Sequence, residues 1–295
     1  MGREILLTLS IMTCGGLILQ LLAPWPPAGI ANSNPAVRER QAWRALCRPV
    51  APVLVSAAWL IGWALVEPDP VRDPLDPAVV VCLWLPFGLL FARAGARAAW
   101  ALVRELPECG VSTCGFLQPQ VVFSPFLARQ LEEPVISAAL AHEHAHARHR
   151  DPLRIWLAQL ITDLQWPWPQ AQRRLTVWLA ALELARDEQA RREGIEGTDL
   201  AAAVLSSVRY LGELAPQERS GLGGTQLAHA RLVGDGLVLE QRVSQLLAPL
   251  PPEPDGGHGP GLRRTLVLMI PLLLAAVLLG AVYGQSIMLP LLALT

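Results

Sequence analysis

Residues 135–151 read Val135-Ile-Ser-Ala-Ala-Leu-Ala-His-Glu-His-Ala-His-Ala-Arg-His-Arg-Asp151, and His142-Glu143-His144-Ala145-His146 within them fits His-Glu-x-x-His. At about 100° per residue, His142 and His146 fall about 40° apart on a helix, one turn above the other, so both imidazoles reach a single metal ion. Glu143 sits about 100° round from His142, placed to take a proton from water without being a ligand itself. This arrangement is the one that binds one zinc ion and activates one water. Ile136, Ala139 and Leu140 share the stripe of the two histidines, so the ligands continue a buried face. The chain holds only six histidines, and a chance His-Glu-x-x-His in it has odds on the order of one in a hundred. The bland alternative, a solvated His-rich helix, makes the apolar run before the motif a coincidence. His144, about 200° from His142, faces elsewhere and is expected in solvent. His149 returns to the ligand face, but about 10 Å along the axis from His142, which is too far for all three to share one ion.

A zinc site of this kind needs a third protein ligand from another helix. Glu183-Leu-Ala-Arg-Asp187 is the best candidate, because Glu183 and Asp187 are four residues apart and share a face. Glu183 can ligate while Asp187 accepts a hydrogen bond from the free N–H of a ligating histidine. On spacing alone, the alternative is two carboxylates paired with arginines such as Arg186 or Arg191.

The composition is unusual: 52% hydrophobic and 17% charged over 295 residues, with a mean hydropathy of +0.36. A formal net charge of −1 gives no electrostatic basis for direct nucleic-acid binding. The apolar residues sit in blocks near both ends, at about 5–23, 50–66, 78–92 and 265–282. These blocks predict about four transmembrane helices. Arg38, Arg40, Arg44 and Arg48 follow the first block, and Arg93, Arg97, Arg104, Arg263 and Arg264 bracket the central region. By the positive-inside rule those segments are cytoplasmic. The expected organisation is an N-terminal membrane region (1–96), a cytoplasmic module (97–250), a Pro/Gly linker (251–264) and a final span with a short tail (265–295). The localisation that follows is a bacterial cytoplasmic (inner) membrane, multi-pass, with the lipid bilayer as a partner.

The five cysteines are Cys14, Cys47, Cys82, Cys109 and Cys114; reduced structural thiols are the simplest reading, with a redox pair or soft metal ligands as the alternative for Cys109 and Cys114. Within the central region, residues 110–124 have the β-branched content and turn residues of a short hairpin. Ser124-Pro125 opens a helix, Glu133-Pro134 opens the motif helix, and Asp151-Pro152 opens another with Asp151 as its cap. Further helices are expected near 172–192, 200–214 and 237–247. Trp156, Trp166, Trp168 and Trp178 fit an interfacial belt or a core equally well.

Phe123-Ser-Pro-Phe-Leu127, Leu140-Ala-His-Glu-His-Ala-His-Ala-Arg-His-Arg-Asp-Pro-Leu153 and Glu183-Leu-Ala-Arg-Asp-Glu188 together resemble the BlaR/MecR-type integral membrane zinc metallopeptidases. A more distant likeness is to the heat-shock membrane protease and CAAX prenyl protease group. The resemblance covers roughly residues 97–250. It implies a mainly α chain whose cytoplasmic module is a gluzincin-like α+β zinc protease with a small β-hairpin or sheet. It implies one Zn2+ per chain held by His142, His146 and Glu183, with Glu143 as the base and Asp187 behind the ligands. Leu239-Glu-Gln-Arg-Val-Ser-Gln-Leu246 is similar to the family's late Arg segment, which makes Arg242 a supporting residue. Relatives often place a His or Tyr near that Arg; here His229 is the candidate, and Tyr210 a weaker one.

The implied activity is a membrane-embedded zinc endopeptidase that cuts a protein or peptide on the cytoplasmic side. A BlaI-like transcriptional repressor in a signalling pathway is the substrate the resemblance suggests, and a homodimer is compatible with it. The alternatives are a quality-control protease for membrane proteins and a non-catalytic membrane adaptor with a structural zinc site. BlaR-type sensors carry a large extracellular domain after their last span. This sequence has only a short tail there, so direct β-lactam sensing is not expected.

Overall fold

The computed structural model describes residue 20 and residues 34–66, 77–103, 111–123, 129–166, 168–213, 236–250 and 270–283. Along the described chain run α1 (Pro35–Cys47), a single 3-10 turn (Arg48–Val50), α2 (Ala51–Val66), α3 (Pro77–Val103), β1 (Val111–Cys114) and β2 (Gln120–Phe123). There follow α4 (Glu133–His149), α5 (Asp151–Leu164), α6 (Pro169–Arg192), α7 (Gly197–Glu213) and α8 (Gly236–Leu247). Residues 270–283 are also helical. The described chain is mainly α, as expected, with one two-stranded sheet.

Among the described residues no helix is long and apolar enough to cross a membrane. This corrects the expectation of a multi-span membrane protein with about four transmembrane helices, and the multi-pass inner-membrane localisation goes with it. The orientation of the central module as cytoplasmic rested on those spans and loses its basis. The physical reason is length against charge. Helix α2 has 16 residues, about 24 Å of rise, against a hydrocarbon core of about 30 Å. Helix α3 is longer, at 27 residues, but Arg93 and Arg97 interrupt it. Its apolar part, residues 78–92, rises only about 22 Å. Both arginines turn to the buried carboxylate of Asp163 on α5, Arg97 Nε at 3.0 Å and Arg93 Nη1 at 3.6 Å. Such pairing packs α3 along α5. The block at 5–23 lies outside the described residues except for Gln20, as do the loop 67–76 and the linker 251–264; of the helix expected from Ser124, residues 124–128 lie outside them and residues 129–131 form a turn and bend rather than helix.

Helices α2 and 270–283 cross at glycines. A Cβ at Gly62 would lie 1.9 Å from the Val277 carbonyl oxygen, and one at Gly280 would lie 2.1 Å from that of Trp59. Their backbones touch because neither residue has a side chain.

The core lies where α1, α5 and α6 meet. Trp43 and Leu46 of α1 pack with Ile155 and Ala158 of α5 and with Leu175, Trp178 and Leu182 of α6. The rings of Trp43 and Trp178 are tilted at 5.1 Å between centroids, a favourable offset for two quadrupoles. Trp178 is therefore core rather than part of an interfacial belt, and Trp156 is partly buried with its Nε1 donating to the Ala98 carbonyl at 3.0 Å. Trp166 and Trp168 are exposed. Thus the basic stretch after the first apolar block is a helix, with Asn34 capping it through a 2.9 Å bond from the Ala36 N–H. A smaller core of Ala138, Ala190, Leu200, Ala201 and Leu246 joins α4, α6, α7 and α8. Gly197 lets α7 start against the end of α8, since a Cβ there would lie 2.1 Å from the Leu246 carbonyl oxygen. Arg191 then closes α8 by donating to the carbonyls of Gln245 and Ala248 at 3.1 and 2.8 Å.

Strands β1 and β2 pair antiparallel, Val111 opposite Phe123 and Thr113 opposite Val121. The turn between them begins at Gly115, whose φ of 93° suits glycine. The hairpin, expected at 110–124, packs on α4 through both strands. It thereby sets β1 beside Glu143.

Candidate metal centre

Helix α4 begins with Pro134 in its first turn and ends where Arg150 adopts a left-handed conformation, φ 52° and ψ 44°. Its N–H reaches back to the Ala147 carbonyl at 3.0 Å, closing the helix much as a glycine would. Helix α5 starts at the next residue. This one-residue reversal has a chemical consequence: Asp151, first in α5, folds back under α4 and meets His146, five residues earlier.

The three expected ligands come together. His142 and His146 on α4 and Glu183 on α6 are all buried, and one ligand atom from each lies within 4.8 Å of the others. The Nε2 atoms of the histidines are 3.1 Å apart. Glu183 Oε2 is 3.5 Å from His142 Nε2, and Oε1 is 3.7 Å from His146 Nε2. Two nitrogens each about 2.0–2.1 Å from one tetrahedral ion stand roughly 3.3 Å apart, so the spacing suits a metal ion. The buried group could hold one.

Each histidine is fixed from behind by a carboxylate. His142 Nδ1 lies 2.9 Å from Asp187 Oδ1, and His146 Nδ1 lies 2.9 Å from Asp151 Oδ2. His146 Nδ1 has hydrogen-bond geometry to Asp151, which in the neutral imidazole leaves the lone pair on Nε2, the atom that faces Glu183; His142 Nδ1 is in ion-pair contact with Asp187 without hydrogen-bond geometry. The carboxylates are in turn held by arginines. Arg242 on α8 grips Asp187 through Nε and Nη2, both at 2.9 Å, and its Nη1 is 3.1 Å from Glu183 Oε2. Asp151 accepts from Arg186 through Nε and Nη2, and from Arg154 Nη1 at 2.9 Å. Arg154 continues to Glu39 of α1, whose Oε1 also accepts from Trp178 Nε1 at 3.0 Å. Its guanidinium also stacks over Trp43 and Trp178.

These pairings set the charge states. Burial opposes ionisation of Asp187, but the Arg242 guanidinium and His142 outweigh it and hold the carboxyl down at about 2. Burial likewise opposes the charge on Asp151, yet Arg186, His146 and Arg154 keep it well below the ordinary range. His142 loses stability as a cation through burial, and the bonds and charges of Asp187 and Glu183 reverse this, so its pKa is pushed up to about 10. A metal ion bound at His142 Nε2 would have to displace a proton there. For Arg242, burial is outweighed by Asp187 and Glu183, which raise its pKa.

Glu143 is buried beside the ligands without belonging to the ligand group. Thr113 of β1 touches it, Oγ1 lying 2.7 Å from Glu143 Oε2 and 2.9 Å from the Glu143 carbonyl oxygen. His144 is exposed, with Nδ1 2.6 Å from the Leu140 carbonyl. His149 is half-buried outside the ligand group. Burial and the nearby Arg186 depress its pKa to about 4. His229 lies outside the described residues, and Tyr210 is near the end of α7.

Sequence reasoning placed Asp151 only as a helix cap and missed Thr113, Arg154, Arg186 and Glu39 as parts of the site. In a continuous helix Asp151 would point about 140° away from His146. The signal available was Asp-Pro directly after the motif helix, which marks a new helix start and so a reversal. The pairing of Glu39 with Arg154 spans 115 positions and has no local signature. No family model matches the chain, and no curated protein or solved structure does either. The likeness to the BlaR/MecR-type peptidases thus rests on the motif residues themselves.

Proposed function

We propose that this chain is a zinc-dependent endopeptidase. One observation carries the reading: a buried carboxylate, Glu143, stands beside a His142–His146–Glu183 group without being part of it. Three protein ligands of the His, His, Glu type are the set of catalytic zinc sites, which keep one position open, whereas structural sites use four. Among the described residues the group has three members. A zinc ion bound there would make water acidic enough to ionise near neutral pH and would polarise a peptide carbonyl.

The residues of the chain do the rest. Asp151 orients His146 through a hydrogen bond to Nδ1, and the Asp187 carboxylate stands 2.9 Å from His142 Nδ1. Arg242 fixes Asp187 and Glu183 together, so the carboxylate ligand and the support of His142 move as one unit. Glu143 takes the proton of the attacking water and then delivers it to the leaving amine, so one carboxylate acts as base and then as acid. The hairpin beside Glu143 offers strand edges along which an extended peptide can lie by β-strand addition. The resemblance of the motif segments favours a protein substrate, with a repressor of the BlaI type as the specific proposal.

The test uses purified protein and a library of fluorogenic peptides. Cleavage should vanish with a chelator and return with added zinc, and Glu143→Gln should cut at least about a hundredfold more slowly. Cleavage that survives chelation would remove the proposal.

A further inference from the structure

Thr113 is a polar side chain of the hairpin that reaches the buried Glu143 carboxylate. We infer that Thr113 is a positioning residue for Glu143, holding one carboxylate oxygen so that the other is aimed at water. The inference rests on the proposed peptidase reading and deepens it. Thr113 lies on β1 and is buried, 6% exposed. Its Oγ1 stands 2.7 Å from Glu143 Oε2 and 2.9 Å from the Glu143 carbonyl oxygen. A hydroxyl has one proton to donate and two lone pairs to accept with. Facing an ionised carboxylate, the proton goes to Oε2, because a bond to a charged acceptor is shorter and stronger than one to a carbonyl. When Glu143 carries the transferred proton on Oε1, Oε2 is the carbonyl oxygen of the carboxyl group and still accepts from the same hydroxyl. Thr113 therefore keeps a partner for Oε2 throughout turnover, and Oε1 stays free.

The geometry explains why the contact comes from a strand. A side chain from α4 itself cannot approach Glu143 from this side, since helix neighbours at three and four residues are Ala139, Leu140, His146 and Ala147. The hairpin supplies the missing donor by packing across α4. Because Thr113 and Val121 are paired in register, the placement of the hydroxyl depends on the hairpin. A peptide lying along the hairpin would therefore be aligned by the same strand that orients the base.

The experiment compares Thr113→Val, which keeps the shape and removes the hydroxyl, with Thr113→Ser, which keeps the hydroxyl. Steady-state cleavage, metal content and a crystal structure of each variant are measured. Thr113→Val should lower kcat about tenfold to a hundredfold, leave KM and one metal ion per chain unchanged, and let the Glu143 carboxylate leave its place. Thr113→Ser should recover kcat to within about threefold of the parent. A Thr113→Val protein with the parent's kcat overturns the inference, and so does a loss that Thr113→Ser fails to repair. If the parent itself cleaves nothing, the peptidase reading fails, and the crystal structure decides the inference alone: Glu143 unmoved in Thr113→Val refutes it.

Discussion

Replacing Asp151 by Asn separates the electrostatics of the site from its shape. Asp151 is fully buried and accepts from His146 Nδ1, Arg154 Nη1 and two nitrogens of Arg186. Asparagine keeps the volume and one acceptor oxygen, but its NH2 group turns two donors toward donors. Removing one partner of a buried ion pair costs about 3–5 kcal/mol. Arg154 keeps Glu39, so the lower end applies, about 3 kcal/mol. At roughly 2–4 °C per kcal/mol this is a fall in Tm of about 6–12 °C. Metal binding suffers separately: with His146 no longer fixed by a charged acceptor, zinc affinity should drop about tenfold to a hundredfold. Urea denaturation in a chelator reads the first effect with no metal contribution, and competition with a zinc indicator reads the second. A metal-free stability within about 1 kcal/mol of the parent would refute the buried, arginine-clamped carboxylate.

Other consequences can be checked one by one. Asp187→Asn should weaken zinc binding about tenfold to a hundredfold by the same logic at His142, measured by indicator competition. Arg242→Met leaves Asp187 and Glu183 as neighbouring buried anions, so the metal-free protein should lose about 3–5 kcal/mol, and added zinc should raise its Tm more than it raises the parent's. The depressed pKa of His149, about 4 against about 6.5 in an unfolded chain, means that the unfolded state binds the extra proton between those values. Stability should therefore fall as pH drops from about 6.5 to about 4, and His149→Gln should flatten that part of the urea-midpoint profile. Gly197→Ala pushes a methyl into the Leu246 carbonyl and should cost about 1–3 kcal/mol by thermal melting. Cys47, whose thiol burial pushes up to about 12, should react with iodoacetamide more slowly than Cys114 by peptide mapping.

What was legible in the sequence follows the range of the interactions. The candidate ligand histidines and the candidate base sit within five residues, and helical periodicity alone sets their mutual directions. Glu183 and Asp187 were legible as a pair at helical spacing, though spacing could not say whether they met a metal or an arginine. In the structure Glu183 reaches the two imidazole Nε2 atoms and Arg242 as well. The hairpin was legible from β-branched content and Gly115. The membrane spans misled because hydropathy counts apolar residues without regard to where the charges between them go. Arg93 and Arg97 look like the flank of a span, yet from partly exposed positions they pair with the buried Asp163 of α5. Glu39 was hidden for the same kind of reason: a basic stretch drew attention to its arginines, while the one carboxylate among them is what reaches the core.

The central claim is that His142, His146 and Glu183 hold a zinc ion while Glu143 only moves protons. Its most direct test is zinc stoichiometry and peptide cleavage measured together on Glu143→Gln. The account predicts one zinc ion per chain, bound as tightly as in the parent, with cleavage reduced at least about a hundredfold. Loss of the bound zinc in Glu143→Gln, or cleavage at the parent's rate, would contradict it.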